Sequence, residues 1–323
     1  MDKTRSADIV TFTMNPAIDI FGATPTLFDD SKSRCEKALQ QPGGGGINVA
    51  RNICRMGGNA HVVYPAGGPN GELLEILLND EGTPQTVIPI ADHTRQNMAI
   101  TELSSGKFYH FVFPGPRLTA AEQEACFNAI FAFNPPPRFV VLSGSLPHDV
   151  PLDFYGRITK KANQQGSRVI LDTSGPALQN SLYQGAWLAK LNRKEFASLG
   201  FPEDDDVSSL ARNMNTLLAK NAVEHLIVTL SRGGAVLVSN GQSPVFFKAP
   251  QVPIISHVGA GDGFVSALTY QLAQGADLTT ATRYGVAAAT VVIQTEGNQL
   301  TDFNKLTETV ELIEEQTIHG NFT

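Results

Sequence analysis

The chain has 323 residues, 42% of them hydrophobic and 17% charged, which suffices for a large core and excludes a disordered chain. Its net charge of −7 arises from 31 acidic against 24 basic residues with no basic block, so nucleic acid is not an expected partner. Three cysteines without paired or metal-type spacing, a polar start and no apolar run of membrane-spanning length lead to the expectation of a cytoplasmic protein with no membrane partner.

Residues 9–14, IVTFTM, read as a buried first strand that stops at Pro16. Asp19 follows beyond the strand end, where open α/β sheets bind ligands; an ordinary turn aspartate is the other reading. From about 18 to 41 the chain turns polar, with short alternating segments and no helical period. This predicts a pair of strands outside the main sheet, carrying Lys32 and Arg34.

Four glycines, Gly43 to Gly46, then open a helix with Ile47, Val49, Ala50, Ile53 and Met56 on its apolar side, closed by Gly57-Gly58. Glycines there allow close backbone approach to a ligand. A dinucleotide-binding turn is the competing reading, but that fingerprint follows the first strand directly, and here a polar flap intervenes. Residues 61–66 give a second core strand, and the leucines from 73 to 78 a helix, so the pattern is βαβ with a parallel sheet. Strand periodicity returns between 86 and 113, interrupted at Thr94-Arg95-Gln96-Asn97, and supplies the other part of the flap. Arg95 is the candidate for a substrate phosphate because a guanidinium binds it bidentately.

Two strands ending in small-residue loops follow, at 139–142 before Ser143 and at 169–171 before Asp172. Ser143 either touches ligand or finishes its strand. Asp172 either stands near a metal or caps the next helix. The segment WLAKLNRKE at 187–195 is a short strand running into a helix. Asn192 and Glu195, three apart, can organise hydrated Mg²⁺ or form a capping box. Residues 226–230 are a core strand that turns through Ser231-Arg232-Gly233-Gly234 into a hairpin.

The motif Val258-Gly259-Ala260-Gly261-Asp262-Gly263 precedes an apolar helix. Small residues at a helix start let backbone N–H groups converge on an anion, and Asp262 sits in the first turn as a base beside them. That pairing suits phosphoryl transfer to a hydroxyl; a plain helix cap is the alternative. An alanine-rich helix from 281 to 293 offers Val286 and Thr290 to a flat adenine face or to close helix packing. After the break at Thr295-Glu296-Gly297, a charged amphipathic segment runs from 303 to 318.

With PGGGGINVAR early, VGAGDGF late, and TRQN, SGSLP and KLNRKE between them in order, the chain resembles the ribokinase-like, or PfkB, carbohydrate kinases over nearly its whole length. The resemblance implies one kinase domain spanning residues 1–323. Its fold would be a three-layer α/β/α core with a mostly parallel sheet, plus a β lid formed by about 18–41 and 90–113. It implies a homodimer joined through the lids. It implies ATP and Mg²⁺ as cofactors and phosphorylation of a sugar phosphate. Four glycines before Ile47-Asn48 match the branch that converts fructose 6-phosphate to fructose 1,6-bisphosphate. Relatives acting on fructose 1-phosphate or tagatose 6-phosphate tend to have GGKG there and supply the alternative.

Carried over residue by residue, Asp262 is the base, and Gly259, Ala260 and Gly261 form the anion hole. Asp19, Gly44, Asn48, Arg95 and Ser143 hold the sugar phosphate, and Lys32 is a lid lysine reaching an active site across the dimer. Lys190, Asn192, Thr229 and Gly234 contact nucleotide, and Glu195 is associated with Mg²⁺. Ser256, Val258 and Gly297 fit loops that hold K⁺ in the family, although Thr295 and Gln299 replace an asparagine and an arginine there. Gly263, Leu191, Thr229 and His257 also depart from the usual serine, proline, serine and threonine. A non-catalytic sugar-phosphate regulator and a dinucleotide oxidoreductase are the rival classes.

Overall fold

The computed structural model describes residues 5–203, 206–230, 233–295, 297 and 299–320. In chain order the elements are β1 (Ile9–Phe12), β2 (Ala17–Thr24), β3 (Leu39–Gly43), α1 (Gly45–Arg55), β4 (Ala60–Ala66), α2 (Gly68–Asp80), β5 (Gln85–Pro89), β6 (Arg95–Glu102) and β7 (Lys107–Val112). Then come α3 (Ala120–Ile130), β8 (Phe139–Ser143), α4 (Phe154–Gln164), β9 (Arg168–Asp172), α5 (Gly175–Ser181), β10 (Ala186–Asn192), α6 (Arg193–Ala197) and α7 (Val207–Leu218). The chain closes with β11 (Val223–Thr229), β12 (Ala235–Ser239), β13 (Val245–Lys248), α8 (Ala260–Ala273), α9 (Leu278–Val292), α10 (Phe303–Glu311) and β14 (Glu314–Thr317).

Among the described residues, ten strands form one sheet in the order β14-β13-β12-β11-β10-β9-β8-β1-β4-β5. From β5 to β11 every neighbour is parallel, and β12, β13 and β14 add on antiparallel. Parallel strands buried on both faces need Val, Ile and Leu throughout, as in the FVVLS of β8, which is buried at every position. Two apolar clusters, one on each face, complete a three-layer α/β/α core. The chain leaves β1 toward β4 and β5, then returns to β8 and proceeds to β11 on the other side. The crevice between β1 and β8 is therefore the topological switch point, where α/β sheets bind ligands at strand carboxyl ends.

Four other strands make a second sheet, β3-β2-β6-β7, the flap expected from 18–41 and 90–113. Four sequence expectations change. Residues 86–89 do not join the flap: they lie in β5, which pairs parallel with β4 at the edge of the large sheet. The first strand ends at Phe12 rather than residue 14, because Thr13 turns its hydroxyl to the Ser143 carbonyl and the Gly46 amide. The stretch from Arg95 does not interrupt the flap. It is the start of β6, and Asn97 lies in the ladder opposite Asp19. The charged end is helical only to Glu311, after which β14 pairs antiparallel with β13. Its exposed face is all Glu, Gln and Thr, which protects a sheet edge. Ser231 and Arg232 of the hairpin turn and Glu296 of the late break lie outside the described residues. No described helix is long and apolar enough to cross a membrane.

Candidate active site

Gly259 caps α8 with φ 80, a left-handed conformation that glycine adopts without a Cβ penalty. Its carbonyl accepts from the Gly263 amide at 2.7 Å, so the helix begins at once and its leading N–H groups have no partner within it. A Cβ added at Gly261 would lie 2.9 Å from Lys190 Nζ, so the bare backbone lets an ammonium stand against this helix start. Lys190 comes from the end of β10 and pairs with Asp172 Oδ1 at 3.1 Å. Burial disfavours its charge, but Asp172 and Glu195 outweigh that and hold its pKa above the usual lysine range. Amide dipoles and a buried cation thus converge where an anion would sit.

Asp262, in the first turn of α8, accepts a hydrogen bond at Oδ2 from Asn48 Nδ2 at 2.8 Å. Burial raises its pKa and repulsion from Asp172 adds to the effect. The Asn48 bond and Lys190 oppose it, leaving a value of about 7. A carboxyl poised there exchanges a proton near neutrality, as a general base must. Asn48 lies on α1, so the early glycine bend and the late GAGD helix share one cleft.

The bend is shaped by close contacts. Gly44 has φ 115, and a Cβ on it would lie 2.8 Å from Thr13 Cγ2. A Cβ on Gly45 would overlap Ser143 Oγ, and one on Gly43 would overlap the Asp19 carboxylate. Ser143, at the end of β8, donates to Asp172 Oδ2 at 3.1 Å. Asp19, 8% exposed on β2, accepts from Asn97 Nδ2 at 2.9 Å. Burial raises its pKa, while Asn97, His110, Arg95 and Arg51 oppose. Arg95 donates from its two terminal nitrogens to the Phe113 and Asn15 carbonyls at 2.9 and 3.0 Å, and its Nε is buried with no partner in the structure. Two carbonyls therefore fix the guanidinium plane and leave further N–H groups for an anion. Lys32 is exposed between β2 and β3, and no described residue of the protomer pairs with it. The structure does not bring it to the cluster.

On the other side of α8 lies a cavity of about 340 Å³, lined by Thr229, Gly234, His257, Gly261, Val286 and Thr290 among others. Gly234 has φ 101 and a Cβ there would overlap the Phe247 carbonyl, so the hairpin turn packs on β13. Thr290 spends its hydroxyl on the Val286 carbonyl at 2.8 Å and offers the cavity no donor. Asn192 and Glu195 form the capping box in both directions, at 2.7 and 2.9 Å. Burial raises the Glu195 pKa and repulsion from Asp172 adds to it. Two carboxylates that repel each other fit a hydrated divalent cation, and the cap does not use up the Glu195 carboxylate. In the late loops, Ser256 Oγ accepts from the Val258 amide at 3.1 Å, and a Cβ on Gly297 would come 2.9 Å from Gln41 of β3.

A family model for pfkB family carbohydrate kinases matches residues 10–304. The chain belongs to the PfkB family of carbohydrate kinases. It is 38% identical over 313 residues to the ATP-dependent 6-phosphofructokinase isozyme 2 of Mycobacterium tuberculosis, covering 97% of this chain and 91% of the relative. The Escherichia coli enzyme of the same description is 36% identical over 296 residues, covering 90% and 94%. Crystal structures of Escherichia coli phosphofructokinase-2, in complex with potassium and with fructose-6-phosphate, superimpose with TM-scores of 0.89 and 0.87. They share 34% and 33% identity and cover 95% of this chain and 99% of theirs.

In this PfkB-family chain, Asp262, Asn48, Lys190, Ser143, Asp19, Gly44 and the GAG turn meet at one cleft, and Thr229, Gly234, Val286 and Thr290 line the adjoining cavity. Sequence reasoning left Asp172 undecided. It is the carboxylate that joins Ser143 to Lys190 and pushes up the pKa of Asp262. It also gave no role to Asn97, whose partner Asp19 is 78 residues away, or to Arg51, which it met only as the last letter of PGGGGINVAR. A Cβ added at Gly263 would meet Val292 Cγ2 at 2.9 Å, so the bare backbone lets α9 pack close on the start of α8.

Proposed function

We propose that this chain transfers the γ-phosphoryl group of ATP to the 1-hydroxyl of fructose 6-phosphate, giving fructose 1,6-bisphosphate and ADP. The observation that carries it is Asp262, a base titrating near 7, hydrogen-bonded to the glycine-bend helix and seated at the open start of α8. Asp262 takes the hydroxyl proton as the sugar oxygen attacks. The amides of Gly259, Ala260 and Gly261, with Lys190, stabilise charge on the moving group. Asp19, Gly44, Asn48 and Ser143 hold the sugar, and Arg95 binds its phosphate. The cavity takes the nucleotide, with Lys190 and Asn192 on its phosphate side, Thr229 and Gly234 along it, and Val286 and Thr290 against the base. Bound near Glu195 through water, Mg²⁺ would screen the phosphate oxygens. Ser256, Val258 and Gly297 are the proposed K⁺ loop.

The small sheet acts as a lid that excludes water, which would otherwise accept the phosphoryl group. Strand register puts Leu39, Phe108 and Val112 on the face that carries Asp19 and Asn97, and they are 50%, 37% and 60% exposed. An apolar face of that kind supports a homodimer through the lids, which would bring Lys32 of each protomer to its partner's cleft. The test of the reaction is an initial-rate panel with fructose 6-phosphate, tagatose 6-phosphate and fructose 1-phosphate, following ADP. Fructose 6-phosphate is expected to give the highest kcat/KM. A higher value with either other sugar moves the assignment to that substrate, and no ADP with any of them overturns the kinase reading.

A further inference from the structure

Arg51 is among the largest side chains that are fully buried, with 1% of it exposed. A buried arginine is costly unless every donor is used. From α1, its Nε and one terminal nitrogen grip Glu81 as a fork, at 2.8 and 2.6 Å. The other terminal nitrogen donates to the Pro42 carbonyl at the end of β3 and to Asn48 Oδ1, both at 3.0 Å. Glu81 caps α2 and also accepts from Arg55 at 2.8 Å. Burial works against the Glu81 anion, but the Arg51 hydrogen bond and the charges of Arg51 and Arg55 hold its pKa below the usual carboxylate range.

We propose that Arg51 is a positioning residue for the base: it fixes which end of the Asn48 amide faces Asp262. A guanidinium only donates, so the oxygen of Asn48 must turn toward Arg51 and its NH₂ must turn toward Asp262. The amide cannot flip without setting the Arg51 donors against an NH₂ group and an amide oxygen against the Asp262 carboxylate. Asp262 therefore always receives a donor. The same arginine pins the carbonyl of Pro42, so the glycine bend and the amide that reads the base are held by one group. This goes beyond helix packing and rests on the phosphoryl-transfer reading of Asp262.

The sign of the effect follows from the bond. A donor to a carboxylate favours its charged form, so losing it raises the pKa of a base that already sits high. The charged groups facing Asp262 are Asp172, Lys190 and Asp19, and those facing Arg51 are Glu81, Arg55 and Asp19.

The test is the pH dependence of kcat and kcat/KM in Arg51→Lys, Glu81→Gln and the double variant Arg51→Met with Glu81→Gln, which removes both charges of the pair together. Each protein is first checked for a cooperative melt. The acid limb is expected to move upward by about half to one pH unit in the folded double variant, and by less in Arg51→Lys, whose ammonium also only donates and can still face Asn48 Oδ1. It should move in the same direction, by less, in Glu81→Gln, whose site is partly open to solvent and tolerates the change. A limb that stays put in Glu81→Gln and in every Arg51 variant that folds, with only the amplitude reduced, makes Arg51 a structural residue and overturns the proposal. Asp262→Asn is run in parallel. If it keeps wild-type turnover, the reading of Asp262 as base has failed. If it is inactive while the limb stays put in the others, only the role of Arg51 has failed.

Discussion

Asp262, Lys190, Asp172, Ser143 and Asn48 reach the cleft from the ends of buried elements, and each is held by another member of the group. In the small sheet above them, by contrast, Leu39, Phe108 and Val112 stand exposed and Lys32 has no partner among the described residues of its own protomer. The cleft residues, or floor, find their partners within one chain, while the small sheet, the proposed lid, has apolar surface and a cation left over for something outside it. That difference separates chemistry from capture. Fixed dipoles and a poised base need not reorganise during the reaction, whereas a cover must open and close on its ligand. The floor should therefore govern kcat and the lid KM.

The largest effect is expected on the floor. Asp262→Asn should lower kcat by about 10²–10⁴-fold with little change in sugar-phosphate KM. In the unsubstituted protein, kcat/KM should fall about tenfold per pH unit below about 7, as the carboxyl gains its proton, and the residual activity of the variant should lose that limb. Near-normal turnover in stopped assays of the variant would remove the base from the mechanism. A smaller effect of the other kind is expected from Arg95→Ala at the start of β6. It should raise the sugar-phosphate KM by about 10–100-fold and leave kcat within a few-fold. A fall in kcat with KM unchanged would place Arg95 on the floor's side of the comparison. The smallest change concerns the outer lid. Leu39→Lys combined with Val112→Lys should shift the protein from dimer to monomer in light scattering and raise KM a few-fold, with the melt unaltered. A dimer that persists would show that the lids do not join the protomers.

Much of the floor was legible because its motifs are local. Small residues at 43–46 (GGGG) and 259–261 (GAG), with Asn48 and Asp262 just inside their helices, write a helix start and its leading amides into a few consecutive residues. Asn192 and Glu195 were legible as well, as the capping box that the structure shows. The small sheet was legible as a change of period, but its inner ladder was not. Asn97 reads as part of a polar interruption until β6 pairs with β2 in parallel and brings it to Asp19. Asp172 was undecided for the same reason, since its meaning lies in Ser143 and Lys190 on the neighbouring strands β8 and β10.

The sequence by itself determined the alternation of strands and helices, the two glycine-rich helix starts and the chemical types placed at them, because backbone conformation and hydrophobic period are set by near neighbours. Only the tertiary structure decided which carboxylate is pushed toward neutrality, which arginine is buried, and which amide end faces the base. Those depend on burial and on charges brought together from distant strands. Arg51 carries the same side chain in either case, and the difference between a solvated cation and a fixed fork of donors is made entirely by Glu81, Pro42 and Asn48 closing around it.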